Sequence, residues 1–434
     1  MKYYLAIDLG ASSGRHIVSY KKGNKVFLNE VYRFKTLMDD SSDGLVWDIP
    51  RIFSEIKIGI KKAFEQYKEI ESLAIDSWGV DYVLMSGDKE IPPFYAYRNK
   101  RCEKAANEVH KILNFKEIYD TSGIQFCAFN SIYQLYDDLK QGRLEQATDY
   151  LMIPSYFTYK LTGIKTHEYT NESTGALLDA RTREYNFELL NKLGLPNKLF
   201  NNIKQPGDYV GELLPEIQKE VGGNTKVILC ASHDTGSAFE SINVGPNDII
   251  LSSGTWSLLG IKIKEPIISK ESFKSNYTNE GGVGYIRFLK NIMGMYLANQ
   301  VRLENNISFE ELAEKLPLSK YKNTFDVNDP SLNAPKSMKQ AICKLLKGAA
   351  PKDDIDIFAS IYRSQAVCYK NSIDELEKIT KKKFKNIYVL GGGAKNKFLN
   401  GLIEEYTHKK VIAKPIESTA LGNIKIQMKV GEKL

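Results

Sequence analysis

The chain reads as an α/β protein of two related domains, and three stretches predict it. In the first, residues 4–18, Leu5, Ile7 and Leu9 alternate with smaller or polar residues. A Gly/Ser loop runs from Gly10 to Gly14, and Ile17 and Val18 resume the strand beyond it. The second, residues 249–260, repeats that order: an apolar strand, a Ser252-Ser253-Gly254-Thr255 turn, and a strand from Trp256. The third, residues 386–396, is an apolar strand that breaks at Gly391-Gly392-Gly393 and starts a helix. A strand–turn–strand unit in each half points to two related domains facing one ligand. The border falls at Gly245-Pro246-Asn247, which divides the chain into residues 1–243 and 244–434.

Composition narrows the class. At 434 residues there is ample length for two or three domains with full cores. With 42% apolar and 26% charged residues the chain is not of the disordered class. A net charge of +7 is mild, Lys and Glu are interleaved, and no basic stripe carries aromatics, so nucleic acid is not an expected partner. The five cysteines are scattered and never form CxxC, which argues for a reducing compartment and against zinc. Asp8 interrupts the only early apolar run, and no run is long enough to span a bilayer. The expectation is a soluble cytoplasmic protein, monomer or homodimer, without a membrane partner.

In the opening loop, successive N–H groups with the Ser12 and Ser13 hydroxyls can surround phosphate oxygens. Asp8 ends the strand where a carboxylate can hold a magnesium ion, and Arg15 adds a fixed positive charge. The loop lacks the Gly-Lys-Ser/Thr of a P-loop and the GxGxxG of a dinucleotide fold. Alone it reads equally as a plain hairpin with a glycine turn; its recurrence at 249–260 favours phosphate. Residues 25–34 read as a further strand. Phe53, Ile56, Ile60, Ala63, Phe64 and Tyr67 then share one helical face. At 72–84 a buried strand ends in Asp76-Ser77-Trp78-Gly79-Val80-Asp81 before a second strand. Two carboxylates and a Trp around a glycine turn suit a sugar, and suit a Trp packed over a turn equally well.

Residues 103–162 read as mainly helical, and Thr170-Asn171-Glu172-Ser173-Thr174 is a polar stretch that faces a ligand or caps helices. At 226–239 a hydrophobic strand runs into a helix with Asp234 at its start. Asp there is commonly an N-cap. Its other reading is a general base, kept ionised by the helix dipole and sufficient for a loose phosphoryl-transfer transition state. Residues 288–297 read as the beginning of a helix, 317–340 as loop, about 354–378 as a long helix and 419 onward as the last helix.

Together these stretches resemble the five signatures of the actin-like ATPase superfamily and, within it, the FGGY carbohydrate kinases. The carrying motifs are AIDLGASSGR at 6–15, WGVDYVL at 78–84, AYRNKR at 96–101, SGIQF at 122–126, ASHDTGSA at 231–238, LSSGTWSLLG at 251–260, TNEGG at 278–282, FLKNIMGMYL at 288–297 and GGGAKN at 391–396. The resemblance implies two ribonuclease H-like domains with ATP in the cleft between them. It implies transfer of a phosphoryl group from ATP, with Mg2+, to a small ketose: L-rhamnulose first, with xylulose, ribulose and fuculose as alternatives. Asp234 would be the base. Trp78, Gly79, Asp81, His233, Thr235 and Asn291 would touch the sugar. Ala11, Ser12, Ser13, Gly14, Arg15, Thr255, Asn299, Gly391, Gly392 and Gly393 would hold ATP, and Asp8 would organise the metal.

Two features depart from the pattern. Asn99 stands where YRDxR is expected, and the chain ends soon after the helix at 418–428, where relatives continue. Other classes of the same fold remain: a nucleotide-driven chaperone or filament protein, which would lack the sugar-facing Trp-Gly-x-Asp, and a catalytically silent sugar-binding regulator.

Overall fold

The computed structural model describes residues 1–23, 25–414 and 417–432; the last two residues of the expected second domain lie outside these. Each half is built on a twisted mixed sheet. In the first, the order is Tyr209–Glu212, Lys226–Ile228, Ser72–Ser77, Tyr3–Leu9, Gly14–Lys22, Lys25–Phe34. In the second it is Thr278–Gly281, Ile286–Met293, Trp256–Ile263, Asp248–Ser253, Asn386–Leu390, Lys410–Ala413. Five strands correspond in order and direction: three antiparallel neighbours, then two parallel additions to the first strand. The sixth strand is added at opposite ends, beyond Lys226–Ile228 in one sheet and beyond Ile286–Met293 in the other.

Side-chain alternation explains how the halves lock together. Leu5, Ile7 and Leu9 face the core under helix Ile49–Gln66, where Ile52, Ile56 and Ile60 are fully buried. The opposite face of the same strand, Tyr4 and Ala6, is covered by Ala420 and Ile424 of the last helix, Ser418–Gly431. That helix follows the last strand of the second sheet in sequence and packs on the first. The exchange is reciprocal. Ala238 and Phe239 of helix Asp234–Glu240, which follows the first sheet, pack on Ile250, Leu258 and Leu390 of the second. Meanwhile Ile249 and Leu251 face the long helix Asp354–Thr380. The two exchanged helices meet where Gly422 lies against the backbone of Ser237 and Ser241, between these two apolar clusters. Among the described residues, no helix is long and apolar enough to cross a membrane.

One expected helix is a strand. Residues 286–293 pair with Trp256–Ile263 on one side and Thr278–Gly281 on the other, and the following helix starts only at Tyr296. Phe288 and Leu289 point to opposite faces, and both faces are covered, so an apolar run that suits a helix is a doubly buried strand.

The segment between the fourth and fifth corresponding strands of the first domain carries its own three-stranded sheet, Lys89–Ile91, Tyr82–Ser86 and Asp149–Met152, and its own apolar cluster. Inside it lies a polar knot. His167 contacts Glu172 through Nδ1 at 3.1 Å and Asp149 through Nε2 at 3.2 Å, while Tyr185 lies 2.9 Å from Nδ1. Burial works against a charged ring, but the two carboxylates outweigh it and push the His167 pKa up from 6.5 to about 9. A raised folded-state pKa contributes stability that is complete below pH 6.5 and is lost as pH rises through about 9. The shift corresponds to roughly 3 kcal/mol at full protonation. Calorimetry on wild type and His167→Gln should show wild type losing the greater share of its stability across that window. Parallel pH profiles for the two proteins would show that the ring is not charged in the fold.

Candidate active site

A cavity of about 490 Å³ lies between the domains. Asp8, Ala11, Ser12, Ser13 and Arg15 of the first hairpin line it from one side, and Thr255 of the second hairpin with Gly391 and Gly392 from the other. Trp78, Gly79, His233, Asp234, Thr235, Asn291 and Asn299 complete the expected set. Three expected residues do not line it. Gly14 is a packing glycine, since a Cβ there would lie 2.3 Å from the Phe34 ring. Gly393 fits under Ser253, whose Oγ a Cβ would meet at 2.0 Å.

The third is Asp81, which turns away from the cavity and is fully buried. Its carboxylate accepts from Trp47 Nε1 (2.7 Å), Trp78 Nε1 (3.0 Å), the Tyr97 amide (3.1 Å) and Gln134 Nε2 (3.1 Å). With its lone pairs occupied by protein donors, Asp81 orients Trp78 rather than offering a sugar contact. Burial raises its pKa to about 6 against these bonds. The Trp78 ring lies against Trp47 with centroids 4.3 Å apart. Asp76, the other carboxylate of that turn, points to the last helix, where Asn423 Nδ2 donates to it at 2.6 Å. Burial and the neighbouring Asp8 carboxylate push the Asp76 pKa well above the usual range, and its Oδ1 has no hydrogen-bond partner among the described residues.

Asn99 also faces away from the cavity. Its Nδ2 donates to the carbonyls of Asp43 (2.9 Å) and Leu45 (3.0 Å), and its Oδ1 accepts from the Arg101 amide (3.1 Å). An Asp carboxylate cannot make the first two bonds. The departure from YRDxR therefore anchors the hairpin formed by Met38–Ser41 and Gly44–Trp47.

The wall that carries the expected base is held by a buried carboxylate. Glu168 accepts from the Thr170, Asn171 and Ser232 amides and from the Thr170 and Ser232 hydroxyls. Asn171 Nδ2 donates at 3.2 Å to the carbonyls of both Trp78 and Ser232. The Ser77 amide donates to Ser232 O at 2.8 Å. The polar stretch at 170–174 thus ties the Trp78–Gly79 turn to the Ser232–Asp234 turn, and only Thr174 of it reaches the cavity.

Asp234 is the first residue of its helix rather than the cap. His233 occupies the N-cap position, with no side-chain cap bond. The Asp234 side chain is 31% exposed. Its Oδ1 accepts from the Thr235 amide and lies 3.4 Å from His233 Nε2. Enclosure by the cleft raises its pKa, His233 and Thr235 oppose, Asp8 adds to the rise, and the net shift is upward. The helix dipole alone predicts the reverse, because it takes no account of the loss of water around the carboxylate. A raised pKa makes a stronger proton acceptor.

Arg15 is shared between the halves. Its guanidinium donates to Asp8 and to Glu417, the N-cap residue of the last helix. Burial opposes its charge, but these carboxylates hold its pKa above the ordinary value. Sequence reasoning missed several lining residues: Gln125, Asn130, Glu280, Phe309 and Thr419. Gln125 and Glu280 lie inside quoted motifs and bracket Asn291. Gln125 Oε1 accepts from the Asn291 amide at 2.8 Å, and Glu280 Oε1 accepts from Asn291 Nδ2 at 3.3 Å. Phe309, on a separate helix, left no local signal.

Two sheets of corresponding order, each presenting a glycine-containing hairpin to one shared cleft, define a two-domain α/β protein with its candidate site between the domains. The comparisons narrow this further. The FGGY family of carbohydrate kinases matches through its N-terminal domain over residues 3–239 and its C-terminal domain over residues 249–430. A rhamnulokinase of Oceanobacillus iheyensis is 40% identical, covering 98% of this chain and 92% of its own. One of Halalkalibacterium halodurans is 41% identical, covering 100% and 94%. Among solved structures, a ligand-bound xylulose kinase from Lactobacillus acidophilus superposes with a TM-score of 0.84 at 18% identity, covering 100% of this chain and 90% of that one. The chain belongs to the FGGY family of carbohydrate kinases.

Proposed function

We propose that the protein transfers the γ-phosphoryl group of ATP to the primary hydroxyl of L-rhamnulose, giving L-rhamnulose 1-phosphate, with Asp234 as the base. The observation that carries this reading is the place of Asp234. It lies on the cavity wall with both phosphate hairpins and with Trp78, Gly79, His233 and Asn291. A hydroxyl held against Trp78 and Asn291 would meet the phosphates beside the Asp234 carboxylate, which is placed to take its proton. The substrate is argued from the two rhamnulokinases at 40% and 41% identity over nearly the whole chain.

ATP is assigned to the side of the cleft formed by the two hairpins and the Gly391–Gly392 turn. A Cβ at Gly391 would lie 2.9 Å from Ser253 O, whereas one at Gly392 would meet nothing within 4 Å. Gly391 thus serves close packing, and Gly392 leaves the space beside it open. Among the described residues no three His, Cys, Asp or Glu side chains cluster as a cage for a metal ion. Magnesium carried on a nucleotide needs only one or two carboxylates beside the phosphates, and Asp8, on the cavity wall, fits that mode. Asp8 would hold the ion, which would neutralise charge on the phosphates. Two domains sharing the phosphates close over the sugar and exclude water, which limits hydrolysis of ATP.

The test is coupled ADP release across a panel of L-rhamnulose, xylulose, ribulose and fuculose. We expect L-rhamnulose to give the highest kcat/KM, by about 10-fold or more over the others. A higher value for another ketose would reject the substrate. No sugar-dependent ADP release would reject the activity.

A further inference from the structure

The second domain sends one charged side chain into the wall that carries Asp234. Arg287, on strand Ile286–Met293, is fully buried. Its Nε donates to Gly281 O at 2.7 Å and its Nη2 to Thr170 O at 3.4 Å. Nη1 lies 3.2 Å from Glu280 Oε2. Nη2 also lies 3.1 Å from His233 Nδ1. This last contact crosses from the second domain to the residue that precedes the base.

A guanidinium has donors and no acceptor. Its bond to His233 requires the lone pair on Nδ1, so the ring proton belongs on Nε2. That is the nitrogen 3.4 Å from Asp234 Oδ1. With the proton there, an N–H dipole faces the carboxylate and holds it in place. In the other tautomer a ring lone pair would face the carboxylate and repel it. Glu280 offers the competing arrangement, since its Oε2 lies 3.4 Å from the same Nδ1. Arg287 lies closer to Nδ1, and its Nη1 forms an ion pair with the same Glu280 oxygen. Burial would raise the Glu280 pKa, but the Arg287 guanidinium beside it holds the carboxyl below its usual range, keeping it an anion paired to Arg287.

We propose that Arg287 is a positioning residue for the base: through His233 it sets the ring tautomer that orients Asp234. Because Arg287 arrives from the second domain while Asp234 belongs to the first, the base is oriented only while the two domains are docked. A cleft opened at this seam has a base without its N–H partner.

This inference rests on Asp234 as the base, and its test separates the two. Nitrogen NMR of selectively labelled histidine reads the tautomer directly and independently of activity. In the wild type we expect the His233 proton on Nε2. In Arg287→Met, which keeps length and loses the donors, we expect it to move toward Nδ1, with Glu280 accepting. Steady-state kinetics should show kcat falling by about 10²-fold in that variant, the scale of a small misplacement of a reacting group, with KM for ATP little changed. Arg287→Lys keeps a donor and should recover part of kcat.

A wild-type ring protonated on Nδ1 overturns the proposal without any variant, so a variant that fails to fold does not shield it. A folded Arg287→Met enzyme with wild-type tautomer or wild-type kcat overturns it as well. Asp234→Asn turning over normally beside the expected tautomer would instead overturn the assignment of the base.

Discussion

We expect Asp234→Asn to lower kcat by roughly 10²–10⁴, the usual loss when a general base is removed, while the affinities for ATP and sugar change little. The structure makes this substitution a clean probe. His233 occupies the cap position of the helix, so Asp234 has no capping bond to forfeit. Its side chain borders the cavity, and an Asn Oδ1 can still accept from the Thr235 amide as Asp Oδ1 does. What Asn cannot do is accept the hydroxyl proton as the bond to phosphorus forms. A fall in kcat with unchanged binding marks an interaction made only in the transition state. Steady-state kinetics and calorimetric titration of the variant read both quantities. Turnover near the wild-type rate would leave the carboxylate without a catalytic role.

Gly422→Ala should be strongly destabilising, against what helix propensity alone predicts. Within a helix, Ala in place of Gly normally gains up to about 1 kcal/mol. Here a Cβ at Gly422 would lie 1.7 Å from the carbonyl oxygen of Ser237 and 3.1 Å from the Ser241 amide nitrogen. Both are backbone atoms of the helix that begins at Asp234 or of its C-cap, so no rotamer change relieves the clash. The two exchanged helices must separate, which loosens the packing of each on the sheet it covers. Overpacking of this kind costs about 1–3 kcal/mol or more. It also displaces Asp234, so kcat should fall together with the melting temperature. Scanning calorimetry and kinetics on the purified variant give the result. A variant as stable and as active as wild type would show that the helices do not meet at Gly422.

The same residue shows where local reading stops. Thr419-Ala420-Leu421-Gly422-Asn423 announces a helix, but nothing in its spacing says that the helix leaves its own sheet and covers Tyr4 and Ala6 of the other domain. The first-strand pattern carried a hint, because both of its faces are apolar or small and a strand buried on both faces needs two covers. Which helix supplies the second cover is a contact across more than 400 residues of chain, as in Gln427 to Leu5 O, and periodicity has no access to it.

Local chemistry determined what the sequence could announce by itself. The two hairpins are legible because loops that cradle phosphate need glycine and hydroxyl residues in immediate succession. The Ser232–Thr235 turn is legible because a strand delivers it to a helix start, and Asn291 because it lies in a motif of its own. The tertiary structure decided the rest. It turned Asp81 toward two indole N–H groups and Asp76 toward Asn423, since a carboxylate facing a buried donor loses less than one left unpaired. It made residues 286–293 a strand by covering both faces. It brought Arg287, which no motif singled out, to His233 across the border between the halves. Short-range backbone requirements are written in neighbouring residues, whereas the pairing of buried polar groups is set by which distant donor and acceptor the fold brings within hydrogen-bond reach.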